Sequence, residues 1–430
     1  MSQASNVVLL TGATGFLGKV VLEELLRQHE RSNLAQVILI IRGKDDLNGR
    51  ERFFKHTARS KCFENLPSDW QNFVRVFEGD LGLAECGLGE DDRIGIQDSV
   101  THIIHVAGHI KFDAEVSEAL ESNVTSSLNI LNLAKACKVL QRLVITSTAY
   151  SVPPSTAPIH ECLPNLLIPA DQLLRSLKKG ELQKTDAIKL TGYPNIYSLS
   201  KCLAEHLLIE QHVSVPMSIV RPSIICASSN YPSPGWIDSK AAFGGFATGF
   251  ATGLLSVVDG RRDAKLDIIP VDEVASCLID EAFRMEARPI IQLLPPRIVF
   301  CVATTSNSFT VDEACQLLTS FFKRHHRGSR PPSFRYVGPR NFMFHVYEMI
   351  YHRLPSRTMA TIFQIIGKKQ QAAAIEKSYR LATSMNAVFS PYMNHTYDFK
   401  PTRSTANFDK GEYMQRICEG VSEHLVQPKL

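Results

Sequence analysis

The strongest constraint on the fold is a glycine loop that follows an apolar run near the start of the chain. The run NVVLL leads into TGATGFLGKVVLEELL, in which Gly12, Gly15 and Gly18 recur at every third position. Apolar residues such as Leu17 and Val21 then recur at helical spacing. Glycine lets the backbone turn tightly and approach a ligand, and a helix N-terminus offers N–H groups and a partial positive charge. The pattern predicts a strand, a phosphate-binding turn and a helix.

Further apolar runs alternate with helical patterns over the first 225 residues or so. The later runs are QVILIIR, FVRVFEGD, VTHIIHVAG, RLVITSTAY and MSIVRPS. The segment SLNILNLAKAC and the stretch that begins near Tyr197 have helical periodicity. Such alternation predicts βαβ units, and therefore an α/β fold with a doubly wound parallel sheet of the Rossmann type.

The pattern changes beyond this region. Residues 226–267 are rich in Gly, Ser and Pro, and we interpret them as a substrate-side insertion. The run IIPVDEVASCLIDEAF predicts a helix with Asp272 in its first turn, and RIVFCVATT predicts another strand. The remainder has mostly helical patterns and is more basic. We therefore predict a nucleotide-binding domain over residues 1–300 and a smaller, mainly helical C-terminal domain over residues 301–430.

Composition places the chain among globular proteins and excludes several functional classes. The 430 residues are 44% hydrophobic with a net charge of +4, and the charges are scattered, so no nucleic-acid partner is expected. Ten cysteines occur singly, without zinc-site spacing, so we expect reduced thiols, no metal and a cytoplasmic location. No secretory signal is evident, and the uncharged run Ala241–Val258 is too rich in Gly and Thr for a membrane span. The C-terminal PKL leaves a peroxisomal location as an alternative.

Cofactor choice is indicated by the end of the second predicted strand. An acidic residue there would accept a hydrogen bond from the ribose 2′-hydroxyl of NAD, but Arg42 occupies the position and Lys44 follows. A guanidinium group offers a planar, permanently charged set of donors that suits a phosphate. We therefore predict NADPH as the cofactor. The alternative is that Arg42 only caps the strand end in water.

Tyr197 and Lys201 lie four residues apart in YSLSK and would share one helical face. A free phenol has a pKa near 10, and a nearby ammonium group would lower that pKa and favour proton transfer. The run TST, Thr146–Thr148, would place hydroxyl groups at the end of the fifth strand. Because ligands bind at the carboxyl ends of parallel strands, these groups are expected to meet. We predict that Tyr197 protonates a carbonyl oxygen while the carbon receives hydride.

The glycine spacing and the Tyr-x-x-x-Lys pair resemble the extended short-chain dehydrogenase/reductase superfamily. The motifs KFDAEVSEALESNVTSSLNIL, YSLSKCLAEHL, IVRPSII, PSPGWID and IIPVDEVA further resemble alcohol-forming fatty acyl-CoA reductases, over residues 7 to about 285. Among these motifs the run Pro234–Asp238 is the most family-specific. The sequence departs from this family at Gly108, where relatives usually carry Ala, and in the long unmatched stretch between Tyr150 and Tyr193.

The resemblance implies an activity and a set of site residues. The implied reaction is NADPH-dependent reduction of a long-chain acyl-CoA to a fatty alcohol through an aldehyde, with release of CoA, as in wax and lipid metabolism. The implied catalytic residues are Tyr197, Lys201, Thr148 with Ser147 as the alternative hydroxyl, and Asn123. The implied cofactor-binding residues are Thr11, Gly12, Thr14, Gly15, Phe16, Leu17, Gly18, Arg42, Lys44, Asp80, Leu81, Val106, Ala107, Gly108, Tyr197, Lys201, Arg221, Pro222 and Ser223.

Three alternatives to this function stay open on the sequence alone. One is a reductase that acts on a carrier-protein thioester and releases the aldehyde. Another is an extended short-chain enzyme that acts on a sterol or a sugar. The third is a non-catalytic protein that senses NADP, although such a protein has no use for Tyr197, Lys201 and Thr148 together. Oligomeric state is not indicated.

Two C-terminal features have alternative interpretations. Gly245, Gly249 and Gly253 recur at every fourth position and would form a smooth helix surface for an acyl chain or for a second helix. The segment Asn341–Gln371 is rich in Phe, Met, Ile and Tyr, and Pro355 is expected to break it into two helices. We favour a hairpin that covers the acyl pocket with its apolar face buried. The alternative is a peripheral contact with a membrane.

Overall fold

The computed structural model describes residues 5–112, 114–213, 215–284, 295–325, 333–403 and 408–426. The C-terminal PKL and part of the run TYDFKPTRSTANFD lie outside the described residues. Within these ranges, none of the helices combines the length and the apolar character that are needed to cross a bilayer.

The strands of the described residues are mostly short and apolar. They are β1 (Asn6–Thr11), β2 (Leu34–Ile41), β3 (Val74–Glu78), β4 (His102–His105), β5 (Arg142–Thr146), β6 (Met217–Pro222), β7 (Ile224–Cys226), β8 (Val257–Asp259), β9 (Lys265–Leu266), β10 (Ile268–Pro270), β11 (Arg297–Cys301), β12 (Phe309–Thr310) and β13 (Tyr336–Gly338). Seven of them form one parallel sheet in the order β11-β6-β5-β4-β1-β2-β3. The predicted doubly wound parallel sheet is therefore confirmed, with its topological switch point between β1 and β4.

The helices cover both faces of this sheet and form most of the C-terminal region. They are α1 (Phe16–Arg27), α2 (Gly49–Arg52), α3 (Glu90–Ser99), α4 (Val116–Leu120), α5 (Ser126–Ala136), α6 (Ala170–Lys178), α7 (Lys184–Thr191), α8 (Ile196–Gln211), α9 (Ala242–Ala251), α10 (Val271–Ala282), α12 (Thr304–Asn307), α13 (Val311–Arg324), α14 (Phe342–Glu348), α15 (Leu354–Ile365), α16 (Lys369–Met393) and α17 (Lys410–Gly420).

Apolar side chains explain how these elements pack. Strand residues alternate between two buried clusters: Leu10 and Val37 pack under α1 and α10, whereas Leu9 and Ile38 pack under α3, α5 and α8. Both faces of the strands are buried, as in parallel sheets that carry helices on both sides. The Asp272 carboxylate, in the first turn of α10, accepts hydrogen bonds from the N–H groups of Ser229, Asn230 and Tyr231.

The insertion and the C-terminal helices share one apolar cluster. Phe243, Phe246 and Phe250 of α9 are buried together with Phe309 and with residues of α13 and α17. The insertion therefore packs with the C-terminal region to form a smaller, mainly helical unit beside the sheet. Strand β11 ends at Cys301 and pairs with β6, so the boundary placed between residues 300 and 301 passes through a strand of the main sheet.

The hairpin of residues 341–371 differs from the expectation in two respects. Pro355 does not break the helix, because α14 continues through a π-helical turn (Met349–Arg353) into α15, and a proline is tolerated in the first turn of a helix. The chain instead turns at Gly367, which has a φ of +78°. The expected burial of the apolar face is also wrong, since Phe342 and Ile365 are each 78% exposed.

Candidate active site

A cavity of about 540 Å³ runs along the carboxyl ends of the central strands. It extends from the glycine loop after β1 to the C-terminal end of α16, and it is lined by residues from both structural units. Most of the site residues expected from the sequence lie on its wall. They are Gly12, Thr14, Gly15, Phe16, Leu17, Gly18, Arg42, Asp80, Leu81, Val106, Ala107, Gly108, Ser147, Thr148, Tyr197, Lys201, Pro222 and Ser223.

Four of the expected residues do not line this cavity. Thr11 is buried beneath it, where its hydroxyl lies 2.8 Å from His105 Nδ1 and accepts a hydrogen bond from the N–H of Ala107 at 3.2 Å. Lys44 is exposed and pairs with Asp45 at 3.8 Å. Arg221 and Asn123 are buried behind the wall. For these four residues the structure indicates supporting or surface positions rather than direct contact with a ligand.

The glycine loop has the geometry that a pyrophosphate requires. Gly12 has a φ of +76°, and a Cβ atom there would lie 2.6 Å from the backbone nitrogen of Ala107. A Cβ atom on Gly18 would overlap the carbonyl oxygen of Gly12. The loop therefore closes tightly onto the start of α1, and the first residues of this helix line the cavity. These features fit the diphosphate of a dinucleotide.

The family-specific run Pro234–Asp238 packs against the same helix. Trp236 is buried and stacks on Phe16, with ring centroids 5.4 Å apart, and Asp238 forms an ion pair with Lys19. This segment of the insertion therefore fixes α1 from the substrate side, next to the phosphate loop.

Two guanidinium groups lie at the end of the cavity near β2. Arg42 is 68% exposed, and its Nη1 atom lies 3.4 Å from the Asp80 carboxylate. Arg52 also lines the cavity, and its Nη1 atom donates a hydrogen bond to the backbone oxygen of Arg42 at 2.8 Å. Sequence reasoning missed Arg52, although the basic residues of NGRER gave a signal. The Asn48 capping box begins α2 and so positions Arg52.

Lys201 is held at the cavity wall by helix α8. Asn195 caps this helix, because its side chain accepts a hydrogen bond from the N–H of Ser198 at 2.9 Å. The Lys201 ammonium group donates to the backbone oxygen of Thr146 at 3.0 Å. Burial lowers the pKa of Lys201 to about 8, and the carboxylate of Glu205 opposes that shift.

Tyr197 lies one turn before Lys201, as expected, but the direction of its pKa shift differs from the expectation. Burial raises the pKa of the Tyr197 phenol, the neighbouring Tyr392 raises it further, and a hydrogen bond with Thr148 lowers it. Desolvation is the largest of these effects, so the net shift is upward. Tyr197 therefore keeps its proton at neutral pH and is prepared to act as an acid.

The structure distinguishes between the two candidate hydroxyl groups after β5. The side chain of Thr148 lies near enough to the Tyr197 phenol to lower its pKa, and the Thr148 Oγ1 atom accepts a hydrogen bond from the N–H of Tyr150 at 3.3 Å. The Ser147 hydroxyl is buried and has no hydrogen-bond partner in the described part of the chain. The geometry therefore pairs Thr148, rather than Ser147, with Tyr197.

Asn123 supports the loop that follows β4. Its side chain accepts from the N–H of His109 at 2.9 Å and donates to the hydroxyl of Ser200 at 3.0 Å. This loop contains Gly108, where a Cβ atom would lie 3.1 Å from the Lys201 ammonium nitrogen. The glycine therefore leaves Lys201 more room than the alanine that is usual in the resembled family.

An aromatic wall on the substrate side was not found by sequence reasoning. Phe112 lies against Tyr197 and Tyr392, with ring centroids 5.3 Å and 5.1 Å apart. Tyr392, near the end of α16, is buried and its hydroxyl accepts a hydrogen bond from Asn195 Nδ2 at 2.8 Å. Asn195 and Tyr392 are 197 positions apart in the chain, so no local pattern could have joined them.

The three regularly spaced glycines do not line the cavity. Gly253 lies beyond the end of α9, and Gly245 and Gly249 face other parts of the protein. A Cβ atom on Gly249 would lie 3.2 Å from the methyl group of Met385 in α16. This contact favours the helix-packing interpretation over an acyl groove.

Comparisons with known proteins identify the family of this chain. Residues 10–278 match the NAD-binding family model described as Male sterility protein. The chain is 28% identical over 402 residues to "Fatty acyl-CoA reductase wat" of Drosophila melanogaster, which covers 91% of this chain and 75% of that protein. It is 29% identical over 357 residues to "Fatty acyl-CoA reductase 1" of Homo sapiens, which covers 81% of this chain and 68% of that protein. The resemblance to fatty acyl-CoA reductases is thereby confirmed.

Solved structures share the fold at low sequence identity. The terminal R domain from the myxalamid PKS-NRPS biosynthetic pathway has a TM-score of 0.66 at 19% identity, over 98% of this chain and 92% of that one. MoeE5, solved in complex with UDP-glucose and NAD, has a TM-score of 0.55 at 14% identity, over 98% and 100%. Since the family model matches more than half of the residues, the chain belongs to the Male sterility protein family and is an oxidoreductase that binds a nicotinamide cofactor.

Proposed function

We propose that this protein reduces a long-chain fatty acyl-CoA to a fatty alcohol with NADPH, through an aldehyde intermediate and with release of CoA. The observation that carries the proposal is the meeting of Thr148, Tyr197 and Lys201 on the cavity wall, between the glycine loop and the aromatic residues of the C-terminal unit. This arrangement supports a carbonyl substrate held between a nicotinamide cofactor and an apolar pocket. The relatives named as fatty acyl-CoA reductases support the thioester substrate.

The side chains of this site have distinct tasks in the proposed reaction. When bound, the nicotinamide cofactor supplies a hydride to the thioester carbonyl carbon. Thr148 donates a hydrogen bond to the carbonyl oxygen, and Tyr197 transfers its proton to that oxygen as negative charge develops. Lys201, as an ammonium group, stabilises the phenolate that remains and is available to the hydroxyl groups of the nicotinamide ribose.

The stoichiometry of the reaction follows from the oxidation level of the substrate. The first hydride and proton convert the thioester to a hemithioacetal, which expels the CoA thiol and leaves an aldehyde. A second hydride and proton convert that aldehyde to the alcohol at the same pair of groups, Tyr197 and Thr148. Two NADPH molecules are consumed for each alcohol, and no covalent acyl-enzyme is formed.

The preference for NADPH rests on the two arginines beside β2. Arg42 and Arg52 place permanent positive charge where an NAD-specific site would carry a carboxylate, although Asp80 partly balances Arg42. The apolar lining of the substrate side supports the acyl chain, since Phe112, Phe243, Phe246, Phe389 and Met393 all contribute to it. A long apolar chain gains more from such a surface than a sugar does.

The test is product identification with purified protein, NADPH and acyl-CoAs of increasing chain length. We expect a fatty alcohol by gas chromatography, two NADPH oxidised per alcohol and one free CoA thiol. Accumulation of aldehyde alone, with a carrier-protein thioester preferred over acyl-CoA, would instead identify the carrier-linked alternative. Cofactor binding without turnover of any acyl-CoA, sterol or sugar substrate would favour a sensing protein and contradict the proposal.

A further inference from the structure

The helical hairpin has an unusual concentration of exposed apolar side chains. Of the twenty large apolar residues that are exposed in the described part of the chain, eleven lie within residues 342–381. They are Phe342, Met343, Met349, Ile350, Tyr351, Leu354, Met359, Ile362, Ile365, Ile366 and Leu381. Scattered exposed apolar residues are normal, but a concentration of this kind marks an interaction surface. We call residues 342–381 the hairpin surface.

Helix α15 shows how this surface is organised. At about 100° per residue, the exposed side chains from Leu354 to Ile366 fall within an arc of about 140°. Ala360 is buried on the opposite side, where α15 packs against α16. Arg357 is exposed and lies about 60° outside one edge of the arc. The helix is therefore amphipathic, and its apolar face is exposed on the protein surface.

Charge on the hairpin surface and its edge is strongly biased. Residues 340–380 contain seven Lys and Arg residues against two Glu residues, a net charge of +5, whereas the whole chain carries only +4. None of the seven cations forms an ion pair with another described residue: Arg340, Arg353, Arg357, Lys368, Lys369, Lys377 and Arg380. An apolar face bordered by unpaired cations matches the surface of an anionic bilayer, where the apolar side chains insert and the cations contact lipid head groups.

We propose that the hairpin surface docks this protein onto an anionic membrane, with α15 lying in the interfacial layer. A second copy of the chain is a poorer occupant, because a symmetric pairing would bring together two hairpin surfaces that each carry a net charge of +4. The basic side chains have long apolar stems, so they can reach the head groups while Leu354, Ile362 and Ile365 are buried in lipid.

Helix α16 connects the docking surface to the cavity. It begins at Lys369 in the hairpin, and its last turns place Phe389, Tyr392 and Met393 on the cavity wall. The 23 steps from Lys369 to Tyr392 correspond to about 35 Å along the helix axis. Docking would therefore hold this wall of the cavity within about 35 Å of a bilayer. This inference goes beyond the proposed function, because it depends on the surface and not on turnover.

The test is flotation of the purified full-length protein with liposomes at low salt. One set of vesicles is phosphatidylcholine alone, and the other contains about 30 mol% phosphatidylserine. We expect co-flotation with the anionic vesicles that weakens as salt is raised. Ile362→Glu/Ile365→Glu should lower the partition coefficient by about tenfold or more, and Lys368→Gln/Lys369→Gln should do the same on anionic vesicles.

Matched controls separate docking from general changes in solubility. Leu167 is 88% exposed far from the hairpin in sequence, so Leu167→Glu should leave flotation unchanged. Lys55→Gln/Lys189→Gln removes the same charge from other exposed positions and should also have little effect. Circular dichroism and NADPH binding report whether each variant is folded, without any use of activity.

Two outcomes would overturn the inference. One is a wild-type protein that stays in the soluble fraction with both kinds of vesicle at low salt. The other is a dimer, measured by light scattering, that Ile362→Glu/Ile365→Glu converts to a monomer, because the surface would then be an interface between copies. Loss of flotation with full acyl-CoA reduction would contradict docking alone, whereas flotation without reduction would contradict the proposed function alone.

Discussion

Replacement of Glu205 by Gln tests whether the buried Glu205–Arg221 ion pair stabilises the fold and raises the pKa of Lys201. The Glu205 and Arg221 side chains are 1% and 0% exposed, and they are joined by two hydrogen bonds of 2.5 Å and 2.9 Å. The carboxylate also accepts from the hydroxyl of Ser151, and Arg221 donates to the backbone oxygen of Cys162. Glu205 lies one turn beyond Lys201 in α8 and raises the pKa of that residue.

The magnitude follows from what the substitution leaves behind. Glu205→Gln keeps the shape of the side chain but leaves the Arg221 guanidinium buried without its counter-charge. Breaking a buried ion pair in this way costs about 3–5 kcal/mol, and the remaining polar contacts place this case near the lower end. Loss of the carboxylate also removes the effect that raises the Lys201 pKa, so this pKa should fall below about 8.

Two measurements check this prediction. Urea denaturation should show a decrease of about 3 kcal/mol in the free energy of unfolding. The rate should fall as Lys201 loses its proton, so the alkaline limb of the pH–rate profile should move to lower pH in the variant. Asp171→Asn is the control, because its ion pair with Arg175 is exposed and should contribute less than about 1 kcal/mol.

The reasoning is refuted by a particular combination of results. If Glu205→Gln lowers the free energy of unfolding by no more than Asp171→Asn, the pair does not behave as a buried ion pair. If the variant is folded and its alkaline limb is unchanged, Glu205 does not influence Lys201. In Glu205→Leu/Arg221→Met both charges are removed, and part of the lost stability should return.

Three further predictions concern the cavity. Tyr197→Phe should lower kcat by about 10²–10⁴-fold without loss of NADPH binding. The control Tyr231→Phe, on the exposed surface, should leave kcat unchanged. If the two variants have equal kcat values, Tyr197 is not the acid. Arg42→Asp should raise KM for NADPH but not for NADH. The control Lys44→Ala, outside the cavity, should change neither KM. An equal effect of Arg42→Asp on both cofactors would contradict the role of Arg42 in NADPH preference. Gly18→Ala should abolish cofactor binding, measured by fluorescence, because the added Cβ would overlap Gly12. The control Gly95→Ala should preserve binding, because there is open space around Gly95.

Local sequence patterns were sufficient to predict the sheet and most of the residues that line the cavity. The strands, the glycine loop and the helix that carries Tyr197 and Lys201 all have short repeats, of about 2 or 3.6 residues, that are visible in a single chain. The order of the motifs along the chain then placed Thr148 and Tyr197 at one edge of a parallel sheet. The close packing of Gly18 is local in the same sense, because it depends on Gly12, six residues earlier, whereas the close approach to Gly12 comes from Ala107 in a distant strand end.

Only the tertiary structure decided which groups share a surface and which are desolvated. Arg221 and Thr11 lie in motifs near the site but face the interior, whereas Arg52 and Tyr392 come from distant segments and line the cavity. The pKa of Tyr197 rises because distant residues bury it, an effect that exceeds the influence expected from the lysine one turn away. The apolar face of α15 was equally visible in the sequence, but whether it turns inward or outward depends on how the hairpin packs. The desolvation of a side chain and the direction in which a helix face points depend on the packing of the whole chain, so a local sequence repeat cannot predict them.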